Sequence, residues 1–205
     1  MARTIQWFCF FICSSLLISN TICAGEPINL IRQTINDVVD ILKNEELKKN
    51  ENTLERRAEL RRVIGERFDF EEMAKRALAY HWKQRTLEER QEFIPLFSDL
   101  LERSYVKKIE SYADEQVLYT DEKIEGEYAV VKTKIITKRN VEIPIEYRLL
   151  KKNDQWSVYD VVIEGVSLVN NYRNQFNKII RKDSYEELVK RMRDKQEERN
   201  FEETR

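Results

Sequence analysis

The sequence has little of what most enzymes and metal sites are built from. Only three of its 205 residues are cysteine, and Cys9, Cys13 and Cys23 all precede Gly25. His81 is the single histidine. A zinc site of the usual Cys/His spacing, a Cys-His pair and a Ser-His-Asp triad with a spare histidine are therefore poorly supported. The four glycines, Gly25, Gly65, Gly126 and Gly165, are too scattered to form a phosphate-cradling loop. No internal repeat or low-complexity linker is present, and no surplus of one charge. Without Arg3, 35 Lys and Arg face 37 Asp and Glu, a net charge of −2, which argues against a dedicated nucleic-acid surface.

Long apolar runs are missing too, apart from one. Arg3 supplies a basic start, Ile5 to Ile18 is almost wholly apolar, and the stretch ends near Ala24, the pattern of a secretory signal peptide. It is shorter than the roughly 20 residues of a spanning helix. Bulky Ile22 before Cys23 argues against a lipidated N-terminus. The reading is a signal peptide at 1–24, one domain at 25–191 and a charged tail at 192–205. A mature chain without cysteine suits an oxidising compartment and must be stabilised by packing alone.

What is present is charge, 36% of residues, interleaved with 41% hydrophobic residues, enough to bury a core. Ile28, Ile31, Ile35, Val38, Val39 and Leu42 recur at three- and four-residue steps and predict a helix after Pro27. Asn52 with Glu55, Asp69 with Glu72, and Thr86 with Glu89 each read as a capping box opening a further helix. The last of these carries Phe93, Phe97, Leu101 and Tyr105 on one stripe, with a bend expected at Pro95 and an end at Ala113-Asp114.

From Val117 the period changes to two. Four antiparallel strands are predicted, near Val117 to Lys123, Glu127 to Lys138, Val141 to Lys151 and Trp156 to Glu164, with turns at Glu125-Gly126, Arg139-Asn140 and Asn153-Asp154. Val141, Ile143, Ile145, Tyr147 and Leu149 share one face of the third strand, and the other face is wet. The fourth strand is apolar on both faces, and pattern does not orient it. Ser167 then caps a helix with Val169, Tyr172 and Phe176, and Asp183 with Glu186 opens a final one expected to fray beyond Met192. The fold class is α+β.

Two residues invite a chemical reading. His81 reads as a surface histidine near a helix end. Asp160, inside the apolar run Trp156 to Ile163, could be a base in a dry pocket or a structural carboxylate bonded to backbone or arginine. One carboxylate is not a mechanism, which favours the structural reading. Basic pairs such as Arg56-Arg57 and Arg181-Lys182 alternate with glutamates as solvated faces. The stripe Phe93, Phe97, Leu101 and Tyr105 is either core against the sheet or the wall of a pocket, and pattern does not separate the two.

A resemblance becomes specific at Phe68-Asp69-Phe70, at Leu78 to Trp82 and along Arg90 to Tyr105. It is strongest at Trp156-Ser157-Val158-Tyr159-Asp160-Val161, Glu164-Gly165-Val166-Ser167-Leu168-Val169 and Asn171-Tyr172-Arg173-Asn174-Gln175-Phe176. Over Ile28 to Arg191 the chain resembles the MlaC family, also called the toluene-tolerance family, of periplasmic phospholipid-binding proteins. Ala79 stands where the family usually has glycine.

The resemblance implies an NTF2-like cone, a curved four-stranded antiparallel sheet covered by helices around an internal apolar pocket. Lipid tails would sit inside and the head group outside. It implies a non-enzymatic, monomeric periplasmic carrier with phospholipid as cargo and no cofactor. Its partners would be an outer-membrane lipoprotein complex and an inner-membrane ABC transporter complex. The expected lipid-binding residues are Phe97, Leu101 and Tyr105 on the long helix, Val131, Ile135, Ile143, Ile145, Tyr147 and Val161 on the sheet, and Val166, Val169 and Tyr172 near the rim. Arg173 is a head-group or rim candidate that would steady a phosphate or a carboxylate such as Asp160. A pocket isomerase and a ligand-free adaptor are the alternatives, and an adaptor would have its inward residues in full mutual contact. Export predicts a mature chain beginning at Gly25; intact-mass measurement on protein from the periplasmic fraction checks this, and retention of residues 1–24 would overturn it.

Overall fold

The switch of period near Val117 is a boundary in the architecture, with helices before it and a meander of strands after it. The computed structural model describes residues 26–112 and 115–203. The proposed signal segment, all three cysteines and the expected break at Ala113-Asp114 lie outside the described residues. Helices α1 (Glu26–Lys43), α2 (Thr53–Arg67), α3 (Phe70–Leu78) and α4 (Leu87–Glu110) come first. Strands β1 (Gln116–Glu125), β2 (Tyr128–Ile136), β3 (Glu142–Lys152), β4 (Gln155–Ile163) and the two-residue β5 (Val166–Ser167) follow, and α5 (Leu168–Lys182) and α6 (Tyr185–Glu203) close the chain. The sheet is antiparallel in the order β1-β2-β3-β4-β5, so β5 is an addition to the four strands expected.

Local chemistry explains the boundaries. Thr86 and Glu89 form the complete capping box, and α4 continues through Pro95 as a single helix. The Asp69 carboxylate accepts from the Glu72 N–H at 2.8 Å, while Glu72 turns to Arg76 instead of closing a box. The box expected at Asn52 does not form, because the Asn52 amide donates to the Glu46 carbonyl instead. The last helix is capped by Ser184, whose hydroxyl accepts from the Glu187 N–H at 3.1 Å, and Asp183 belongs to the end of α5. That last helix, α6, runs past Met192 to Glu203, with Arg193 bonded to Glu92 of α4. The hairpin turns sit where Gly126, Asn140, Asn153 and Asp154 adopt positive φ.

Two apolar bodies form the interior. One is helical: Met73, Phe93, Phe97, Leu101, Val169, Tyr172, Phe176 and Tyr185 are buried among α3, α4, α5 and α6. Within it Phe97 meets Tyr172 edge-on at 5.5 Å and Phe176 at 5.6 Å, and stacks on Phe93 at 5.9 Å. Such pairs add about 0.5–1.5 kcal/mol each beyond burial. The other body lies on the concave sheet face, where Ala129, Val131, Leu149, Val158 and Val161 pack with Ile31 of α1 and Leu168 of α5. Phe68 and Tyr105 touch both.

Helix α3 ends at an unusual backbone position. Ala79 has φ 49° and ψ −117°, a region that glycine enters freely and a Cβ resists. Its side chain is exposed, so removing it leaves no cavity. The substitution Ala79→Gly is expected to raise the unfolding free energy by about 1 kcal/mol in urea denaturation. A loss of stability would show that the strain is not present in solution.

Candidate functional site

The concave face is organised in layers set by strand register. Ala129, Leu149 and Val158 pair across β2, β3 and β4 and are almost completely buried. The next layer is Val131, Tyr147 and Val161, of which Tyr147 keeps accessible surface. In the third, Thr133 is buried while Ile145 and Ile163 are only half-buried, and in the fourth Ile135 and Ile143 are both half-buried. Burial therefore falls from a sealed end at Leu149 to an accessible end at Ile143.

Helix α1 is the cover. Its Ile28 N–H donates to the Glu122 carboxylate at 2.7 Å, and the Arg32 guanidinium stacks on the Tyr119 ring at 4.1 Å, so one edge of the helix is held to β1. The backbone of α1 approaches β1, β2 and β4, and its Ile31 packs in one cluster with Leu149 of β3 between them. A helix bridging a curved sheet in this way spans its trough. Tyr147, Ile145 and Ile143 project from β3 into that trough. Burial pushes the Tyr147 phenol far above its ordinary range, with a smaller contribution from Tyr119, against a weaker opposing hydrogen bond with Thr133. The Tyr147 side chain is thus closely surrounded and still keeps accessible surface. Burial also raises the Tyr105 and Tyr119 phenols, the latter against the nearby Arg32 charge.

The expected lining residues divide between the two bodies. Val131, Ile145, Tyr147 and Val161 belong to the concave face, with Ile135 and Ile143 at its accessible end. Tyr105 reaches that face from α4. Phe97, Leu101, Val169 and Tyr172 pack inside the helical body, because α5 and α6 fold back onto the apolar stripe of α4. Val166 faces solvent at 56% exposure. The sequence pattern identified the α1 stripe at Ile28, Ile31 and Ile35 but not its place on this face. Tyr119, Trp156 and Ile163 also join it.

A bulge explains why β4 resists orientation by pattern. Leu149 pairs with Val158 but Arg148 pairs with Asp160, which leaves Tyr159 unpaired. Val158 and Val161 both point inward as a result, and Asp160 points to the convex side. Asp160, 3% exposed, accepts from the Ser167 hydroxyl at 2.6 Å and the Val169 N–H at 3.1 Å, with Arg148 at 3.4 Å. The carboxylate thus fastens the start of α5 to β4, a structural role. Arg173 is also on the convex side, and its Nε donates to the Arg76 carbonyl at 2.9 Å, not to Asp160. His81 meets Asn177 at 3.1 Å.

The family model described as MlaC protein matches residues 32–194. The chain belongs to the MlaC family. Among curated MlaC relatives, the intermembrane phospholipid transport system binding protein MlaC of Haemophilus influenzae is 25% identical over 197 residues, covering 91% of each chain. The toluene tolerance protein ttg2D of Pseudomonas putida is 24% identical over 160 residues, 76% of this chain and 74% of its own. A solved phospholipid-binding protein of Ralstonia solanacearum, in complex with a phospholipid, superposes with a TM-score of 0.73 at 24% identity, covering 81% of this chain and 94% of that one. That likeness shows that the two chains share a fold. Among the described residues no helix is long and apolar enough to cross a membrane, and no cluster of His, Cys, Asp or Glu is arranged for a metal.

Asp160→Asn leaves one oxygen to serve donors that now use two. It is expected to lower the unfolding free energy by about 1–3 kcal/mol in urea denaturation while far-ultraviolet circular dichroism stays unchanged; unaltered stability would contradict the fastening role.

Proposed function

We propose that this MlaC-family chain is a periplasmic phospholipid carrier that holds acyl chains against the concave sheet face, beneath α1. It would move lipid as a monomer between an outer-membrane lipoprotein complex and an inner-membrane ABC transporter, maintaining outer-membrane lipid asymmetry. The observation that carries this reading is the graded exposure of the concave face, predominantly apolar, sealed at Leu149 and accessible at Ile143. The names of the relatives from Haemophilus influenzae and Pseudomonas putida, and the lipid bound by the Ralstonia solanacearum protein, support the same reading.

The physical demand is clear. At about 0.8 kcal/mol per CH₂ removed from water, a sixteen-carbon tail free in the periplasm is disfavoured by roughly 10 kcal/mol or more. A carrier has to cover most of that length and still release it. Aliphatic and aromatic walls do this without a fixed polar grip.

Where Val131, Leu149 and Val158 meet Ile31 the two surfaces are in contact, so a tail entering from Ile143 must part α1 from β3 as it advances. In this proposal the site comprises Ile135, Ile143, Ile145, Tyr147, Val131 and Val161 with the α1 stripe, and the helical body stays closed. A pocket isomerase would need Asp160 to face the crevice, whereas its oxygens are engaged on the other side of the sheet.

Organic extraction and mass spectrometry of protein purified from the periplasm without detergent should detect co-purifying phospholipid. Ile145→Glu should reduce that lipid about tenfold or more, since a buried carboxylate opposes an apolar tail, and Asp160→Asn, where it folds, should retain it. Absence of lipid from native protein that also takes none from vesicles would favour a ligand-free adaptor and overturn carriage.

A further inference from the structure

The block that carries the strongest family resemblance, from Trp156 to Phe176, does more than line the apolar crevice. Its Tyr159, Asp160, Asn170 and Arg173 border a separate hollow of about 370 Å³ on the convex side, completed by Arg76 of α3 and Arg148 of β3. Arg148 and Asp160 alternate along their strands with Tyr147 and Val161, so the sheet separates this hollow from the concave face.

The charges around it are unevenly matched. Arg148 donates to Glu146 at 2.8 Å and approaches Asp160, and Arg76 donates to Glu72 at 2.8 Å while stacking on the Tyr159 ring at 4.1 Å. Asp160 is the one carboxylate on the wall, and both its oxygens are taken by Ser167 and the Val169 N–H. Arg173 has no carboxylate. Its Nε is fixed on the Arg76 carbonyl, and its two terminal nitrogens have no partner among the described residues. Three guanidinium groups from three elements, one of them positioned through Nε with its other donors free, surround the start of a 15-residue helix.

We infer that this convex hollow binds a phosphoryl group, with Arg173 as its principal donor and Arg148 and Arg76 supplying charge. A planar carboxylate is satisfied by one guanidinium fork, whereas a tetrahedral phosphoryl group has oxygens for several donors from different directions. The group could arrive as free phosphate or on a lipid head group, and the two have the same chemistry at the site.

Purified protein would be titrated with inorganic phosphate, with glycerophosphoglycerol as a tail-free head group that has no reason to enter the apolar crevice, and with acetate. Amide chemical shifts at Gly165 and Asn170 are the readout. Saturable shifts with phosphate identify free phosphate as the source; shifts with glycerophosphoglycerol alone identify the lipid head group, and both outcomes support the site. Arg173→Gln should weaken binding about tenfold or more, the scale of one charge-assisted hydrogen bond. Asn170→Asp, which adds a negative charge at an exposed wall position, should do the same without disturbing the Arg173 anchor. Equal shifts with acetate, no shift with either phosphorus compound at concentrations on the order of 10 mM, or binding indifferent to both variants would each overturn the inference.

Discussion

A concave apolar sheet face has to be kept from water, and nearly every other feature of this molecule depends on how that is done. Helix α1 is the principal cover, with Leu168, Phe68 and Tyr105 closing the margins. Its polar attachments, the Glu122 carboxylate and the Tyr119 ring, both lie on β1, at one edge of the sheet. Its Ile31 packs with Leu149 of β3 and with Val131 and Val158 on the flanking strands. A cover with these two attachments at one edge meets the rest of the face through apolar packing.

The second apolar body makes that arrangement tolerable. Phe93, Phe97, Tyr172, Phe176 and Tyr185 interlock among α4, α5 and α6 with ring separations of 5.5 to 6.1 Å, largely independent of the sheet. Close packing of this kind responds to any change in volume, which makes it a good anchor for the fold. Asp160 couples the two bodies by holding the first turn of α5 against β4. At the surface, Glu110 links helices in the same manner: burial works to raise its carboxyl, but hydrogen bonds and charge from Arg57 and Arg56 of α2 outweigh it and hold the group below the ordinary carboxylate range.

Much of the fold was legible in the residues because it depends on neighbours in sequence. The helical stripe from Ile28 to Leu42, the Thr86-Glu89 cap and the turns at Gly126, Asn140 and Asn153-Asp154 are short-range effects, and all appear where expected. Failures at Asn52 and Asp183 came from competition: Glu46 and Ser184 offered better partners nearby. β4 was unreadable because the bulge at Tyr159 shifts a period-two pattern by one residue. The candidate site was half legible. Alternation placed Val131, Ile143, Ile145 and Tyr147 on one face, but period alone assigned Phe97, Leu101, Val169 and Tyr172 to no particular neighbour.

By itself the sequence determined that this is an α+β chain with a one-sided apolar meander, with a single histidine and its three cysteines all before Gly25, and with the residue blocks of the MlaC family. Those properties follow from side-chain type and spacing, which act within a turn of helix or a pair of strands. Only the tertiary structure decided which apolar stripe meets which. It gave the α4 stripe to α5 and α6 and the sheet to α1, and turned Asp160 and Arg173 to the convex side. Contacts between segments far apart in the chain depend on how the sheet curves and where α1 crosses it, and no local period records either.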